Sequence, residues 1–359
     1  MLQIIGVTCK QLETLDIWKS TSVTDSGIRM FLGLDAERPF KVCSSLRKAI
    51  VKDTSISDIG AYNLLIHCEK LESLEFSQDS FIQQLLWRIS ENYGRTKTTF
   101  NLRTLFLQVN KPCTLLKVIK SFPMLEDLSL WSSLENASDL SSDDLKDVHT
   151  LKLGGLNHQS FLTDVSQCIG PQLTSLKIET VHFDVDIGLI GKHCSNLEDL
   201  NVINAKVKIT TSDQNDDHSS DMFSKLKLLY FFLVQYVINT PNSTHHPPQP
   251  IPTTVASPTI GHTALHTVLQ KGINLESVQV SGSPALTDSC LESILSRNSL
   301  SKLKRFVVSQ PISIDHRVVP LTCVSVQKIL STCTSIQCVG DLKHWAVNNY
   351  QRRKLSRCV

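Results

Sequence analysis

No run of 18 or more apolar residues occurs in this sequence, so no segment is expected to span a membrane as a helix. A dominant charge is lacking as well. The chain carries 36 Lys and Arg against 34 Asp and Glu, a net charge of +2, which argues against a nucleic-acid surface and against an acidic tail. Met1 to Val7 is too short, and lacks the charged flank, for a secretory leader. The 11 cysteines are odd in number, which does not suit a disulfide framework. They are expected to act as small buried hydrophobes in a reducing compartment.

Motifs for chemistry are also scarce. Gly94-Arg95-Thr96-Lys97-Thr98-Thr99 lacks the first glycine and the Gly-Lys pair of a phosphate loop, and reads as a turn. Cys333 and Cys338 have no second pair at zinc-ligand spacing. Asp288, Cys290 and His262 are a nucleophile group in name only, since nothing in the sequence brings them together. His245-His246 reads as a solvated pair. Asn136-Ala137-Ser138 and Asn242-Ser243-Thr244 match the glycosylation sequon but imply nothing without a secretory route. No catalytic residue, cofactor or metal is expected, and the chain is read as no enzyme.

What the sequence does contain is a repeat. Cys194-Ser195-Asn196-Leu197-Glu198-Asp199-Leu200-Asn201-Val202 has counterparts in Cys9 to Ile17 and Cys68 to Phe76. The first apolar position of the unit L-x-x-L-x-L falls at Leu12, Leu46, Leu71, Leu102, Leu125, Val148, Leu173, Leu197, Leu226, Leu275, Leu303 and Ile336. From Leu102 to Leu226 the intervals are 23, 23, 25, 24 and 29 residues. This matches the period of leucine-rich repeats, roughly 20–29 residues. In each unit the alternating apolar residues point inward from a short strand, and positions three, five and seven point outward. A turn and a back helix then return the chain. One coil cannot bury its own apolar face, so neighbours must stack.

Helix starts recur at Thr24-Asp25-Ser26-Gly27-Ile28, Ser57-Asp58-Ile59-Gly60 and Thr287-Asp288-Ser289-Cys290, each offering side-chain oxygens to helix N–H groups. Met1 to Val7 reads as the tail of a back helix. Phe81 to Ile89, with Trp87, reads as a core-facing helix, and His262 to Lys271 as another. Asp35 to Pro39 reads as a loop insertion and Thr211 to Asp221 as an exposed polar segment. The expected whole is one α/β solenoid domain over residues 1–359. It would be a horseshoe of about twelve repeats with parallel concave strands and convex helices. A proline-rich loop at 239–259 leaves the coil, and residues 336–359 close the end.

The C-x-x-L-x-x-L-x-L units at Cys9, Cys68 and Cys194, with the T-D-x-G-type helix starts at Thr24 and Ser57, resemble the cysteine-containing class of leucine-rich repeats. That class is typical of F-box/LRR proteins, the substrate receptors of SCF-type ubiquitin ligases, and of their F-box-free relatives. The resemblance implies a protein substrate held in the concave groove. It would also imply an SCF adaptor bound through an F-box, but no F-box-like segment precedes Leu12. The alternative is an F-box-free scaffold or inhibitor. The outward register places Trp18, Phe106, Trp131, Tyr230 and Phe232 on the concave face, as the expected partner-binding rings. A cytoplasmic location is expected, with nuclear entry left open by the basic run Arg352-Arg353-Lys354.

Overall fold

A computed structural model describes residues 1–35, 44–76, 100–109, 120–137, 142–210, 222–232, 235–236, 264–281, 286–309 and 321–340. The expected core-facing helix at 81–89, the turn at 94–99, the polar segment 211–221, the proline-rich loop 239–259, His262, and the closing segment beyond Gly340 lie outside these residues. So does most of the loop insertion at 35–39.

The repeat register is realised strand by strand. Two residues past each expected first apolar position, a strand begins. Residues 1–169 and 170–359 form two compact units. In the first, β1 (Thr14–Asp16), β2 (Lys48–Ile50), β3 (Ser73–Glu75), β4 (Thr104–Val109), β5 (Asp127–Ser132) and β6 (Thr150–Gly154) pair in parallel, in chain order. In the second, β7 (Ser175–Glu179), β9 (Asp199–Ile203), β11 (Leu228–Phe232), β13 (Ser277–Ser281), β14 (Arg305–Ser309) and β15 (Cys338–Gly340) do the same. Parallel pairing with a crossover on one side is what a coil repeating every two dozen residues must produce. The fold is a leucine-rich-repeat α/β solenoid.

The inward residues make the core. Leu128 and Leu200 are 3% and 0% exposed, and Leu46, Leu102, Val148, Leu173, Leu226, Leu275 and Leu303 are enclosed. Each such side chain gains about 1.5–3 kcal/mol from leaving water. Leu12 and Ile336, in the outermost described coils, are half-buried.

The backs are helical. Residues of α1 (Leu2–Thr8), α2 (Asp25–Phe31), α3 (Asp58–His67) and α4 (Gln159–Ile169) belong to the first unit. The second holds α5 (Ile187–His193), α6 (Ala264–Lys271), α7 (Asp288–Arg297) and α8 (Cys323–Thr332). The helices read at Met1 to Val7 and at His262 to Lys271 are thus present as α1 and α6, over slightly shifted bounds. The second unit adds something the sequence reading took for a turn. Segments β8 (Asp184–Asp186), β10 (Lys206–Lys208) and β12 (Gln235–Tyr236) form a small parallel sheet of their own. Among the described side chains of this sheet, Val185 and Val207 are the apolar ones turned into the core, too short an alternation to announce a strand.

The helix-start motif caps helices as expected in two of its three copies and does something further. Ser57, Thr287 and Thr322 cap their own helices, whereas Thr24 makes no side-chain cap bond. The aspartate one residue on serves the next coil instead. Asp25 accepts from Ser57 N at 2.7 Å, Ser57 Oγ at 2.6 Å and Gly60 N at 3.1 Å. Asp288 accepts from Thr322 N at 2.9 Å, Thr322 Oγ1 at 2.5 Å and Ser325 Oγ. This explains the motif's glycine, because a Cβ on Gly60 would sit 2.5 Å from Asp25 Oδ1. At the same register in α8, Ser325 donates its hydroxyl instead. Asp186 combines both tasks, capping Gly188 and Leu189 of α5 and accepting from Thr210 N of the next coil.

The repeated cysteine joins helix to strand. Cys68, Cys194 and Cys333 are helix C-caps whose N–H groups bond back to Leu64, Ile190 and Ile329. Their carbonyls accept from Leu71, Leu197 and Ile336. All three thiols are buried, as expected. Cys9 and Cys338 depart from the expectation and are exposed: Cys9 caps the short α1 in the first coil, and Cys338 occupies outward position three of β15.

Candidate functional site

On the outward face of each sheet stand the side chains at positions three, five and seven, flanked at the strand entrance by position two. Position two alternates in sign over most coils, with His149, Thr174 and Gln337 outside the pattern. It runs Glu13, Arg47, Glu72, Arg103, Glu126 in the first unit and Glu198, Lys227, Glu276, Lys304 in the second. Arg47 pairs with Glu72 and Arg103 with Glu126. Lys227 pairs with Glu198 and Lys304 with Glu276, each at 2.7 Å. The hydrogen bond from Lys304, and then its charge, hold the Glu276 carboxyl below the usual carboxylate range. The mixture of charges evident in the sequence is therefore an ordered ladder, its ions spent on one another at the rim of the face.

The expected rings occupy different surroundings. Trp18, 53% exposed, donates from Nε1 to Asp53 Oδ2 at 3.0 Å, and the Lys19 ammonium lies 4.2 Å from its ring centre. Phe106 is half-buried at the middle of β4. Trp131 is half-buried too, but its ring lies flat on the next strand. A Cβ on Gly154 would meet Trp131 Cε2 at 2.5 Å, and one on Gly155 would meet Cε3 at 3.2 Å. Its indole N–H is enclosed and has no acceptor among the described residues. Tyr230 and Phe232 stand side by side on β11, ring centres 6.1 Å apart and planes 3° from parallel.

Leu228, two residues before Tyr230 on the same face, went unnoticed among the rings. It is 45% exposed. The signal was available: a leucine at outward position three, where other coils carry Thr, Ser, Asp, Lys, Arg or Cys. Leu228, Tyr230 and Phe232 thus make one apolar row along β11. Ile203 on β9 and Val307, two strands away on β14, extend it. Asp199, beside Leu228, is driven upward in pKa by burial, opposed by a hydrogen bond from Ser175. It also accepts from Asn201 Nδ2 at 2.9 Å.

Three of the described thiols are held protonated by burial. Burial pushes Cys194 up to about 12 and Cys290 and Cys333 up to about 11. The Asp288 carboxylate is occupied by the coil after it. Among the described residues no three metal-ligating side chains come together, and no helix is long and apolar enough to cross a membrane.

The strand spacing, register and outward face define a leucine-rich-repeat protein. No protein-family model matches the sequence, and no curated protein does. Among solved structures, the chain is similar to one in the yeast Rad7 and Elc1 complex, with a TM-score of 0.46 and 14% identity over 99% of this chain and 74% of that one. It is also similar to internalin C2 of Listeria monocytogenes, with a TM-score of 0.37 and 18% identity over 63% of this chain and 80% of that one. A chain of the TLR13–ssRNA13 complex gives a TM-score of 0.35 and 13% identity, over 91% of this chain and 57% of that one.

Proposed function

We propose that this chain is a non-enzymatic recognition module that holds a protein partner on the outward sheet face of its second unit. The observation that carries the reading is the Leu228–Tyr230–Phe232 row. Three large apolar side chains stand in line on a face where Lys227 and Lys304 are paired with Glu198 and Glu276. Leu228 is exposed and the two rings are half-buried; partly exposed apolar rows of this kind mark interaction sites, and aromatic anchors dominate interface energies. Phe106 and Trp18 are secondary contacts on the first unit.

Within that reading, the cysteine-type repeat supports a substrate receptor of the F-box/LRR kind, delivering its partner to a ubiquitin ligase. The alternative remains an F-box-free scaffold or inhibitor. Affinity purification of the tagged protein from its native cells tests both levels. Tyr230→Ala with Phe232→Ala is expected to lose the captured partner, a cost of about 2–4 kcal/mol in binding. A partner retained in full by the double variant places the site elsewhere. Recovery of cullin and adaptor subunits with the wild type supports the ligase role; their absence from every preparation leaves the scaffold reading.

A further inference from the structure

The strand next to the apolar row is lined by short polar side chains. On β13 the outward residues are Ser277, Gln279 and Ser281. The register aligns Leu228 with Ser277 and Arg305, Tyr230 with Gln279 and Val307, and Phe232 with Ser281 and Ser309. Strands lie about 4.8 Å apart, so β11 and β14 form two walls about 10 Å apart with β13 as the floor between them. One wall is apolar. The other begins at Arg305.

Arg305 differs from the other cations of this face. Lys177, Lys227 and Lys304 each face a carboxylate, at 3.1, 2.7 and 2.7 Å. Arg305 is exposed and has no acidic partner among the described residues. The Gln279 side chain, in the floor, likewise has no hydrogen-bond partner among the described residues. The nearest acid across the row, Asp199, is already engaged by Ser175 and Asn201.

Building on the recognition reading above, we infer that this trough takes an extended protein segment carrying an apolar side chain and a carboxylate. The width suits a single extended strand. The apolar side chain lies against the Tyr230–Phe232 stack, the Gln279 amide meets the segment's backbone, and Arg305 pairs with the carboxylate. A guanidinium binds a carboxylate in a two-pronged fork, which fixes the direction of the segment as well as its charge. Arg305 lies two residues along the strand from the level of Tyr230 and four from Phe232, roughly 7 and 13 Å. The acid therefore falls about two to four residues from the apolar anchor.

The test is selection of displayed random dodecapeptides on the full chain, followed by fluorescence anisotropy with the enriched synthetic peptides. Peptides that lose binding to Tyr230→Ala/Phe232→Ala are expected to share an acid two to four residues from an apolar anchor. Arg305→Glu should weaken them at least tenfold, and exchanging the peptide's acid for Lys should restore binding to that variant. Arg305 is exposed, so the charge exchange reads the contact and not the fold. Ring-dependent peptides with no acid preference, or indifferent to Arg305→Glu, overturn the inference and leave the recognition site standing. The absence of any ring-dependent peptide overturns both. A labelled twelve-nucleotide oligo-dT that binds in a Tyr230-dependent way also overturns it, in favour of nucleic acid.

Discussion

Trp131 in the first unit and Tyr230 in the second both stand on the outward face of a repeat strand, yet one is spent on its own fold and the other is not. The difference lies in the strand that follows. Trp131 is aligned with Gly154, and with no side chain in the way its ring settles onto the backbone of Gly154 and Gly155. Tyr230 is aligned with Gln279, and Phe232 with Ser281. There the two rings stack on each other instead. A ring on this face becomes a patch over a neighbour or an anchor for a partner according to what the adjacent coil presents at the same position.

That contrast can be broken directly. Gly154→Val puts carbon where the indole lies, and overpacking of this kind costs about 2–3 kcal/mol. In a Trp131→Ala background the same change should cost much less, so thermal or denaturant melts of the four-member cycle should show strong coupling. Gln279→Val, aligned with a Tyr230 ring that stacks on Phe232, should stay within about 0.5 kcal/mol of wild type. Additive costs at 131 and 154 would mean that the tryptophan is not seated as described.

The residues that were hard to read in the sequence share a cause. Leucine spacing gave the strands to within a residue, because inward burial imposes a strict period. The outward face carries no such constraint. Trp131 and Tyr230 looked equivalent until their neighbours, Gly154 at 23 residues and Gln279 at 49 residues along the chain, were set beside them. Leu228 is masked by the abundance of inward leucines, and its outward position alone sets it apart. In the small sheet, β8 and β10 each offer a single inward valine, Val185 and Val207, which announces no strand. The aspartates of the helix-start motif were assigned to the helix they begin, whereas Asp25 and Asp288 reach residues 32 to 37 positions further on.

The two aspartate bridges sharpen the comparison at intermediate scale. Burial pushes the Asp288 carboxyl upward, but the bonds from Ser325 and Thr322 outweigh it and leave its pKa lowered. A carboxyl lowered in the folded state adds stability above its unfolded pKa, near 3.9, and loses it as pH falls through the folded value. Asp288→Asn should therefore lower stability at pH 7 and flatten the decline between about pH 5 and pH 2. Parallel pH profiles for variant and wild type would show that the bridge is not ionic. Asp25→Asn should likewise lower stability in the first unit, where the third partner is the backbone of Gly60 and not a hydroxyl.

The smallest effect concerns the turn that ends each strand. Seven residues past the first apolar position the backbone is left-handed at Lys19, Asp53, Gly155, Thr180 and Asn204, with φ of 60, 55, 62, 51 and 50°. Gly155 meets this demand freely in the first unit and Asn204 tolerably in the second. Thr180 is β-branched and pays about 1–2 kcal/mol for the same turn. It is held there because its N–H bonds to Ile203 O at 3.0 Å, continuing the ladder past the strand end. Thr180→Asn keeps that bond and relieves the side-chain clash, so denaturant melts should show a gain of about 0.5–1 kcal/mol. The same substitution at Thr150, an outward strand position in the first unit, should give no gain, since Asn suits strands poorly. A gain at both positions would trace the effect to asparagine itself and not to the turn.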